Sequence, residues 1–351
     1  MRILAIDLGK RRAVACDYNS ITGKHEYQKV PMSPKAIHDL FVLHSPDRIV
    51  LEVSPTAGWV YDIGTALGIE IQVANANHDA WRWKNVKRKD DKTDALKLAQ
   101  LSIMNQLPTV HMPEKKVRQK RSLIRYRQKL IKRRTQVKNN IRSILDREGL
   151  SMPKGQTAWT KSYFQKLKEL SIPLTQAEPE NLWRGQLWIE LEMLNSINTC
   201  LQEVEDKLDD QAASDECIKR LRTCAGVGPR LAEAIVAFLD NPKRFKNSKQ
   251  VGSYVGLTPR QYQSGQMNRQ GKISCQGNKL LRSLLVEVSW MTLQYNPWAR
   301  STYQRILRNS PSRKKVAIVA VARKLLIRCW VMLRDEQPWQ NGDKSRKNFA
   351  A

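Results

Sequence analysis

The first eighty residues alternate short apolar runs with amphipathic segments. Runs of strand length begin at Arg2 and Arg48, and each is followed by polar residues, as is typical of buried strands. Further strands are predicted at 12–18, 25–30 and 69–74 and helices at 33–43 and 58–67, the first of them opened by a serine and a proline. The pattern predicts an α/β domain.

Three strands in a meander, followed by alternating strands and helices, have the element order of the ribonuclease H fold. A further helix is predicted from Lys92 to Ile103, where apolar residues recur at helical spacing. We therefore place an N-terminal ribonuclease H-like domain at 1–110.

Two long amphipathic segments follow. One, from 113 to about 149, has an apolar stripe near heptad spacing and a strongly basic exterior. The other, around 187–208, has a similar stripe and acidic flanks. With the connector 151–186, expected to be loop with one short helix, they predict an antiparallel coiled-coil arm at 113–210. The two helices could equally pair between protomers.

The last segment, 214–335, is predicted to form a helical C-terminal domain. Gly226 and Gly228 between two helical patterns suggest a helix-hairpin-helix, whose backbone N–H groups can bind phosphate, although a plain tight turn has the same pattern. A glycine-rich basic loop containing Ser264 and Ser274 is expected before a helix at 314–333. The tail 336–351 is predicted to be disordered.

Composition narrows the function classes. The chain has 61 Lys and Arg against 33 Asp and Glu, a net charge of +28, which implies a polyanionic partner. No apolar run is long enough to cross a membrane. Six scattered cysteines without a C-x-x-C pair favour reduced thiols in the cytoplasm over zinc or disulfides.

The basic residues predicted to contact nucleic acid lie on the first long helix and in the C-terminal segment, although a charge run is also typical of a solvated helix face. Two tryptophans among basic residues, Trp81 and Trp83, could stack on bases or pack in a core. The predicted nucleic-acid-binding residues are Lys129, Lys132, Arg133, Arg134, Arg260, Lys272, Arg282, Arg323 and Lys324.

Four carboxylates occupy unusual positions. Asp7 and Glu52 interrupt strand-like apolar runs, where an unpaired carboxylate is costly to bury. Asp91 and Asp94 lie three residues apart at the head of a predicted helix and so share one face of it. We expect the four to converge on a divalent cation. The alternative for the last two is that they only cap the helix.

The chain resembles the DEDD transposases of the insertion sequence 110 type, a family that includes the Piv-like serine recombinases. The resemblance covers nearly the whole chain and depends on the order of its motifs rather than on any one of them. These are Ile6-Asp7, Leu51-Glu52, Asp91-x-x-Asp94-Ala95, Gly226-x-Gly228, Gly256-Leu257-x-Pro259, Ser264-Gly265, Gly271-x-Ile273-Ser274, Gly277-Asn278, Leu281-Arg282 and Ala322-Arg323-Lys324-Leu325.

This resemblance implies a junction-resolvase type of ribonuclease H-like domain, a coiled-coil linker and a C-terminal transposase domain. It implies four catalytic, metal-binding acids, Asp7, Glu52, Asp91 and Asp94, with Asp90 an alternative third acid. It assigns a nucleophilic role to Ser264, which forms a covalent phosphoserine intermediate. From the residues alone, a Ser-Gly pair is more often a turn.

The expected partners are donor and target double-stranded DNA, an element-encoded guide RNA, and further copies of the chain in a dimer or tetramer. The expected cofactor is Mg²⁺ or Mn²⁺, because all the predicted ligands are oxygens. The expected location is the bacterial cytoplasm, at the nucleoid. Two other functions fit the sequence: a metal-dependent structure-selective nuclease without serine catalysis, and a non-enzymatic nucleic-acid-binding protein.

Overall fold

A computed structural model describes residues 1–75, 90–264 and 267–340. The chain divides into two compact units, Met1–Arg118 and Gln119–Ala351. Among the described residues, no helix has both the length and the apolar character needed to span a membrane.

The first unit is built on a five-stranded mixed sheet in the order β3-β2-β1-β4-β5. β2 pairs antiparallel with β1 and β3, whereas β4 pairs parallel with β1 and β5. This order and polarity are those of the ribonuclease H fold, and the predicted α/β layout is confirmed. The strands are β1 (Arg2–Leu8), β2 (Arg12–Asn19), β3 (His25–Pro31), β4 (Arg48–Glu52) and β5 (Glu70–Ala74).

Helices cover both faces of this sheet, which explains why the central strands are apolar on both sides. Helices α1 (Pro34–His44) and α2 (Ala57–Ala66) pack on the face that carries Leu4 and Ile6. Helix α3 (Asp91–Ile103) packs on the other face. The predicted start of α1 is confirmed, because the side chain of Ser33 accepts a hydrogen bond from the N–H of Ala36.

The second unit contains two long antiparallel helices, α4 (Lys115–Arg147) and α6 (Leu182–Ala213). The part of α4 that belongs to this unit begins at Gln119. Arg127 forms an ion pair with Glu205, and Asn140 donates a hydrogen bond to Glu190 at 3.0 Å. Apolar residues of both helices form one buried cluster with the connector. The connector contains helix α5 (Lys161–Leu170) and short 3-10 turns, and α6 begins five residues before the predicted apolar stripe.

The remaining helices form a C-terminal helical bundle around the buried side chains of Phe238, Leu285 and Trp330. They are α7 (Glu216–Arg222), α8 (Pro229–Leu239), α9 (Ser248–Tyr254), α10 (Lys279–Tyr295), α11 (Pro297–Leu307) and α12 (Lys314–Arg334). The second unit is therefore mostly helical, as predicted.

The expected glycine-rich loop around Ser264 is wrong in one respect, because most of it is a β-hairpin. Strands β6 (Pro259–Ser264) and β7 (Met267–Ile273) pair antiparallel. Their side chains are almost all polar and, where described, mostly exposed, so no buried face produces the alternation of apolar residues that marks a strand.

The predicted disordered tail begins with described residues that are packed. The N–H of Trp339 donates to Thr223 Oγ1 at 2.8 Å, and its ring meets that of Trp298 edge to face at 5.3 Å between centroids. Arg328 lies over both rings. Residues 341–351 lie outside the described part of the chain.

Candidate active site and nucleic-acid surfaces

Asp7 and Glu52 lie at the ends of two neighbouring parallel strands. β1 pairs with β4 as far as Ile6 and Leu51, and each acid directly follows its paired residue. Both acids are half-buried. The adjacent strand ends therefore bring these two predicted site residues to one edge of the sheet.

Helix α3 covers the face of the sheet that carries these acids. Ala5 and Val50 lie two residues before Asp7 and Glu52 on their strands, and both belong to one buried cluster with Leu98 of the helix. Because successive side chains of a strand alternate between its faces, Asp7 and Glu52 lie on the same side of the sheet as α3.

Asp94 lies one helical turn before Leu98 and therefore on the side of α3 that faces the sheet. It is half-buried, whereas Asp91 in the first turn is exposed. Lys97, also on α3, is buried, and burial lowers its pKa while the nearby Asp94 carboxylate opposes that change. Lys97 is not among the predicted site residues, because nothing in the helical pattern distinguishes a buried lysine from a solvated one.

The path of α3 is fixed at both ends. At its start the Lys92 ammonium lies over the Tyr27 ring of β3, 5.3 Å from the centroid. Near its end the Ser102 hydroxyl donates to Gln72 of β5 at 2.8 Å. The helix thus crosses the sheet from β3 to β5, and Asp94 lies between these two anchors.

Asp90 is the N-cap of α3. Its backbone is extended and its carboxylate accepts a hydrogen bond from the N–H of Lys92 at 3.4 Å. The capping role that could have explained Asp91 and Asp94 is therefore performed by their neighbour. This arrangement favours Asp91 and Asp94 over Asp90 as the remaining site residues.

The donor chemistry of the four acids fits a hard divalent cation, because carboxylate oxygens are the ligands that Mg²⁺ and Mn²⁺ prefer. Across residues 1–75, 90–264 and 267–340, however, no three His, Cys, Asp or Glu side chains are close enough together to hold a metal ion. Asp7, Glu52 and Asp94 each make a polar interaction in this conformation. Their assignment as metal ligands stays a prediction that their shared face supports.

Ser264 is the last residue of β6 and pairs with Met267, the first residue of β7. Its side chain is exposed, as are those of Arg260 and Lys272 on the same hairpin. A hydroxyl at the exposed end of a basic hairpin is open to a nucleic-acid backbone. Its role as a nucleophile stays a prediction.

The two glycines of the predicted helix-hairpin-helix lie in the turn between α7 and α8, and their role in phosphate binding stays a prediction. Gly226 has a φ of +91°, and a Cβ there would lie 2.8 Å from the Thr292 Cα of α10. Gly228 is the N-cap of α8, with ordinary backbone angles and open space around it. Close packing therefore explains Gly226, whereas Gly228 remains available to a phosphate.

The other predicted nucleic-acid-binding residues differ in exposure. Lys129, Lys132 and Arg133 on α4 are exposed, and Arg134 is half-buried. Arg282 is half-buried and donates to the Val255 carbonyl at 2.8 Å, so it stabilises the turn after α9. Arg323 and Lys324 on α12 are half-buried. Trp81 and Trp83 lie outside the described residues.

Two residues of the hairpin were not identified from the sequence. Tyr262 and Arg269 pair across the strands, next to Ser264. The signal that could have found them is the alternation Arg260-x-Tyr262-x-Ser264, which places these three side chains on one face of a strand.

Comparison with protein families gives two matches. A transposase family of the DEDD IS110 type matches residues 4–149. The family described as transposase IS116/IS110/IS902 matches residues 218–304. The first range contains all four predicted acids and the second contains Ser264.

Bacterial transposases are among the relatives that the chain matches along most of its length. The chain is 24% identical to the transposase for insertion sequence element IS1111A of Coxiella burnetii, over 97% of this chain and 92% of the relative. It is 28% identical to a probable family 20 transposase of Pseudomonas aeruginosa, over 72% of this chain and 75% of the relative.

Among solved structures, T. thermophilus RuvC in complex with a Holliday junction substrate aligns with 31% of this chain and 99% of its own. The sequence identity is 13% and the TM-score 0.24. The ribonuclease H-like assignment therefore rests on the strand order and polarity of the sheet.

Proposed function

The chain belongs to the IS110-type transposases, enzymes that act on DNA, and on that premise we propose that it cleaves and rejoins DNA strands with four carboxylates and a serine nucleophile. Membership of a DEDD family implies dependence on a divalent metal ion. The observation that carries the proposal is the placement of Asp7, Glu52 and helix α3 on one face of a ribonuclease H-like sheet.

The carboxylates of Asp7, Glu52, Asp91 and Asp94 would hold the cation, which we propose is Mg²⁺ or Mn²⁺. When bound, such a cation offsets the negative charge of the scissile phosphate and orients it. The sheet holds Asp7 and Glu52 on adjacent strand ends, and α3 holds Asp94 on its side that faces the sheet, with Asp91 in the exposed first turn. Strands and a packed helix are rigid supports for such a site.

Ser264 is proposed to attack the scissile phosphorus through its Oγ. One P–O bond forms to the serine while the bond to the departing sugar oxygen breaks; the serine proton passes to a base and the departing oxygen gains a proton. The resulting phosphoserine conserves the energy of the broken ester for rejoining. A serine needs activation, so we propose that the carboxylates and Ser264 act together, between protomers of a dimer or tetramer.

We propose that the α4 and α6 helices form a coiled-coil arm and that the exposed cations of α4 bind nucleic acid. The substrates are donor and target duplex DNA at the bacterial nucleoid, with an element-encoded RNA as guide. The bacterial relatives and the net charge of +28 support this setting.

The acid site is tested with Asp7→Asn, Glu52→Gln and Asp94→Asn in the full chain, with strand cleavage and DNA binding measured separately. We expect the cleavage rate of each variant to fall at least a hundredfold and its DNA affinity to stay within about threefold of the wild type. Each substitution weakens the cation site, which stabilises the negative charge of the transition state and is not needed to bind DNA. Cleavage by the wild type should stop on chelation of divalent cations. Metal-independent cleavage, or full activity of all three variants, would remove the proposed site.

A further inference from the structure

The face of the β6–β7 hairpin that carries Ser264 also carries aromatic and basic side chains that the pairing of the two strands does not require. Side chains alternate along β6, so Arg260, Tyr262 and Ser264 share one face. The pairs Tyr262–Arg269 and Ser264–Met267 add the two partner side chains to that face, because directly paired residues lie on the same side of a sheet.

Tyr262 is 54% exposed, and its ring lies against the opposite strand of the hairpin. A Cβ on Gly271 of the opposite strand would lie 2.8 Å from Tyr262 Cε2, so the ring lies directly over the glycine. Any larger residue at position 271 would displace the ring. A single exposed aromatic residue is ordinary. An exposed ring seated over a glycine, two residues from Ser264, is a flat surface open to solvent.

The charge of the hairpin selects the class of ligand. Between Pro259 and Ile273 the sequence contains Arg260, Arg269 and Lys272 and no acidic residue. All three cations are exposed. An apolar partner surface would not need three cations, whereas a nucleic-acid strand offers phosphates for the cations and a base for the ring.

We infer that Tyr262 stacks on a base of the DNA strand that is cleaved, next to the phosphate attacked by Ser264, while Arg269 binds the strand's backbone on the same face. The inference rests on the proposed role of Ser264. Tyr262 and Arg269 are positioning residues: they hold the strand in register with the serine. Both faces of a base inside a regular duplex are covered by its neighbours, so the base that meets Tyr262 has to leave the stack, and the strand is locally opened at the hairpin.

Photocross-linking tests the stacking without depending on cleavage. The probe is a twenty-nucleotide oligothymidylate with one 5-iododeoxyuridine, irradiated with the full-length protein and mapped by mass spectrometry. We expect a cross-link on the peptide containing Tyr262. The link at that site should survive in Tyr262→Phe, which keeps the ring, and fall roughly tenfold or more in Tyr262→Ala.

The matched control is Gln263→Ala, on the opposite face of the same strand, which should cross-link as the wild type does. Gly271→Val is a second variant, which keeps the tyrosine at position 262 but displaces its ring. We expect Gly271→Val to lose the cross-link as well. Thermal unfolding of each variant checks that the substitution in the hairpin leaves the chain folded. Equal cross-linking of the wild type and Tyr262→Ala at the hairpin would overturn the inference.

Cleavage assays separate this inference from the proposed function. Tyr262→Ala should form the phosphoserine adduct on duplex DNA at least tenfold more slowly than the wild type and regain most of the rate on DNA with an unpaired segment at the cleavage site. Ser264→Ala should keep the cross-link and lose the adduct. An adduct without any cross-link at Tyr262 overturns the stacking alone, whereas a cross-link in a protein that never forms an adduct overturns the serine mechanism.

Discussion

One hydrogen bond separates the roles of the aspartates at the start of helix α3. The Asp90 carboxylate accepts from the Lys92 N–H and caps the helix, whereas Asp94 faces the sheet one turn later. Three neighbouring acids that look alike in the sequence thus occupy three environments: a cap, an exposed first turn and a half-buried face.

Asp90→Asn tests this division, because asparagine caps a helix as well as aspartate does but carries no charge. We expect unfolding free energy within about 0.5 kcal/mol of the wild type and nearly unchanged cleavage. Asp94→Asn should be equally folded and inactive. Loss of cleavage in Asp90→Asn with a normal unfolding free energy would identify Asp90 as the third catalytic acid instead.

The buried Glu233 of α8 should make the free energy of unfolding depend on pH. Its side chain is 1% exposed and interacts with Arg230 at 3.2 Å, and burial raises its pKa to about 7 from 4.5. Between these values the folded protein binds a proton that the unfolded chain releases. The free energy of unfolding therefore falls as pH rises from about 4.5 to about 7, by about 3 kcal/mol in total.

Urea unfolding at pH 5 and pH 8 measures this difference. Glu233→Gln should reduce it, because the amide does not titrate. The control Glu216→Gln, whose side chain is 74% exposed, should keep the wild-type difference. An undiminished pH dependence in Glu233→Gln would assign it to other groups.

The sequence identified residues best where their type conflicts with the local pattern. Asp7 and Glu52 interrupt apolar strands, so each is conspicuous without any structure. Glu233 occurs in a helical segment where a glutamate is ordinary, and its burial depends on contacts with distant helices. Lys97 was missed for the same reason.

At the scale of elements, the two glycines of the α7–α8 turn serve different purposes. Gly226 has a positive φ and packs against the backbone of α10, whereas Gly228 has neither constraint. The sequence predicted the turn from both glycines together. It could not distinguish them, because the neighbour that requires Gly226 lies about 65 residues further along the chain.

Gly226→Ala and Gly228→Ala form a matched pair for this turn. The first should lower the unfolding free energy by about 1–3 kcal/mol from backbone strain, with a further cost from the contact with Thr292. The second should cost about 1 kcal/mol or less, since alanine is only a poorer N-cap than glycine. Denaturant unfolding of both variants measures the difference, and equal losses would contradict the packing of Gly226.

Regular elements were predictable where one or both faces are buried. The five strands of the first unit and helix α1 agree with their predicted positions within two residues. The β6–β7 hairpin was missed because its side chains are mostly polar and exposed, so pairing of its backbone leaves no periodic apolar signal.

Across the whole molecule, the basic residues fall into two groups, those paired with acids and those exposed without such a pair in the second unit. Some cations of α4 are neutralised within the second unit: Arg127 pairs with Glu205, and Lys120 with Asp215 at 3.1 Å. Others, such as Lys132 and Arg133, are exposed on the same helix. The composition predicts that the partner is negatively charged, and the structure shows which lysines and arginines of α4 are exposed to solvent.

The double variant Lys132→Ala/Arg133→Ala should reduce the salt dependence of DNA binding. If both residues contact phosphates, the slope of log K against log salt becomes smaller in magnitude by about 2. Fluorescence anisotropy at several salt concentrations measures the slope. Lys219→Ala is the control, because that lysine forms an exposed ion pair with Glu216. An unchanged slope in the double variant would remove α4 from the DNA-binding surface.

The most direct test of the central claim is mass spectrometry of the protein after reaction with labelled DNA in the presence of Mg²⁺. We expect a nucleotide adduct on the peptide containing Ser264 in the wild type. We expect no adduct in Ser264→Ala or Asp7→Asn, although both variants should still bind DNA. Strand cleavage by Ser264→Ala at the wild-type rate, with no adduct in any sample, would rule out the serine nucleophile and identify a nuclease that uses the carboxylates alone.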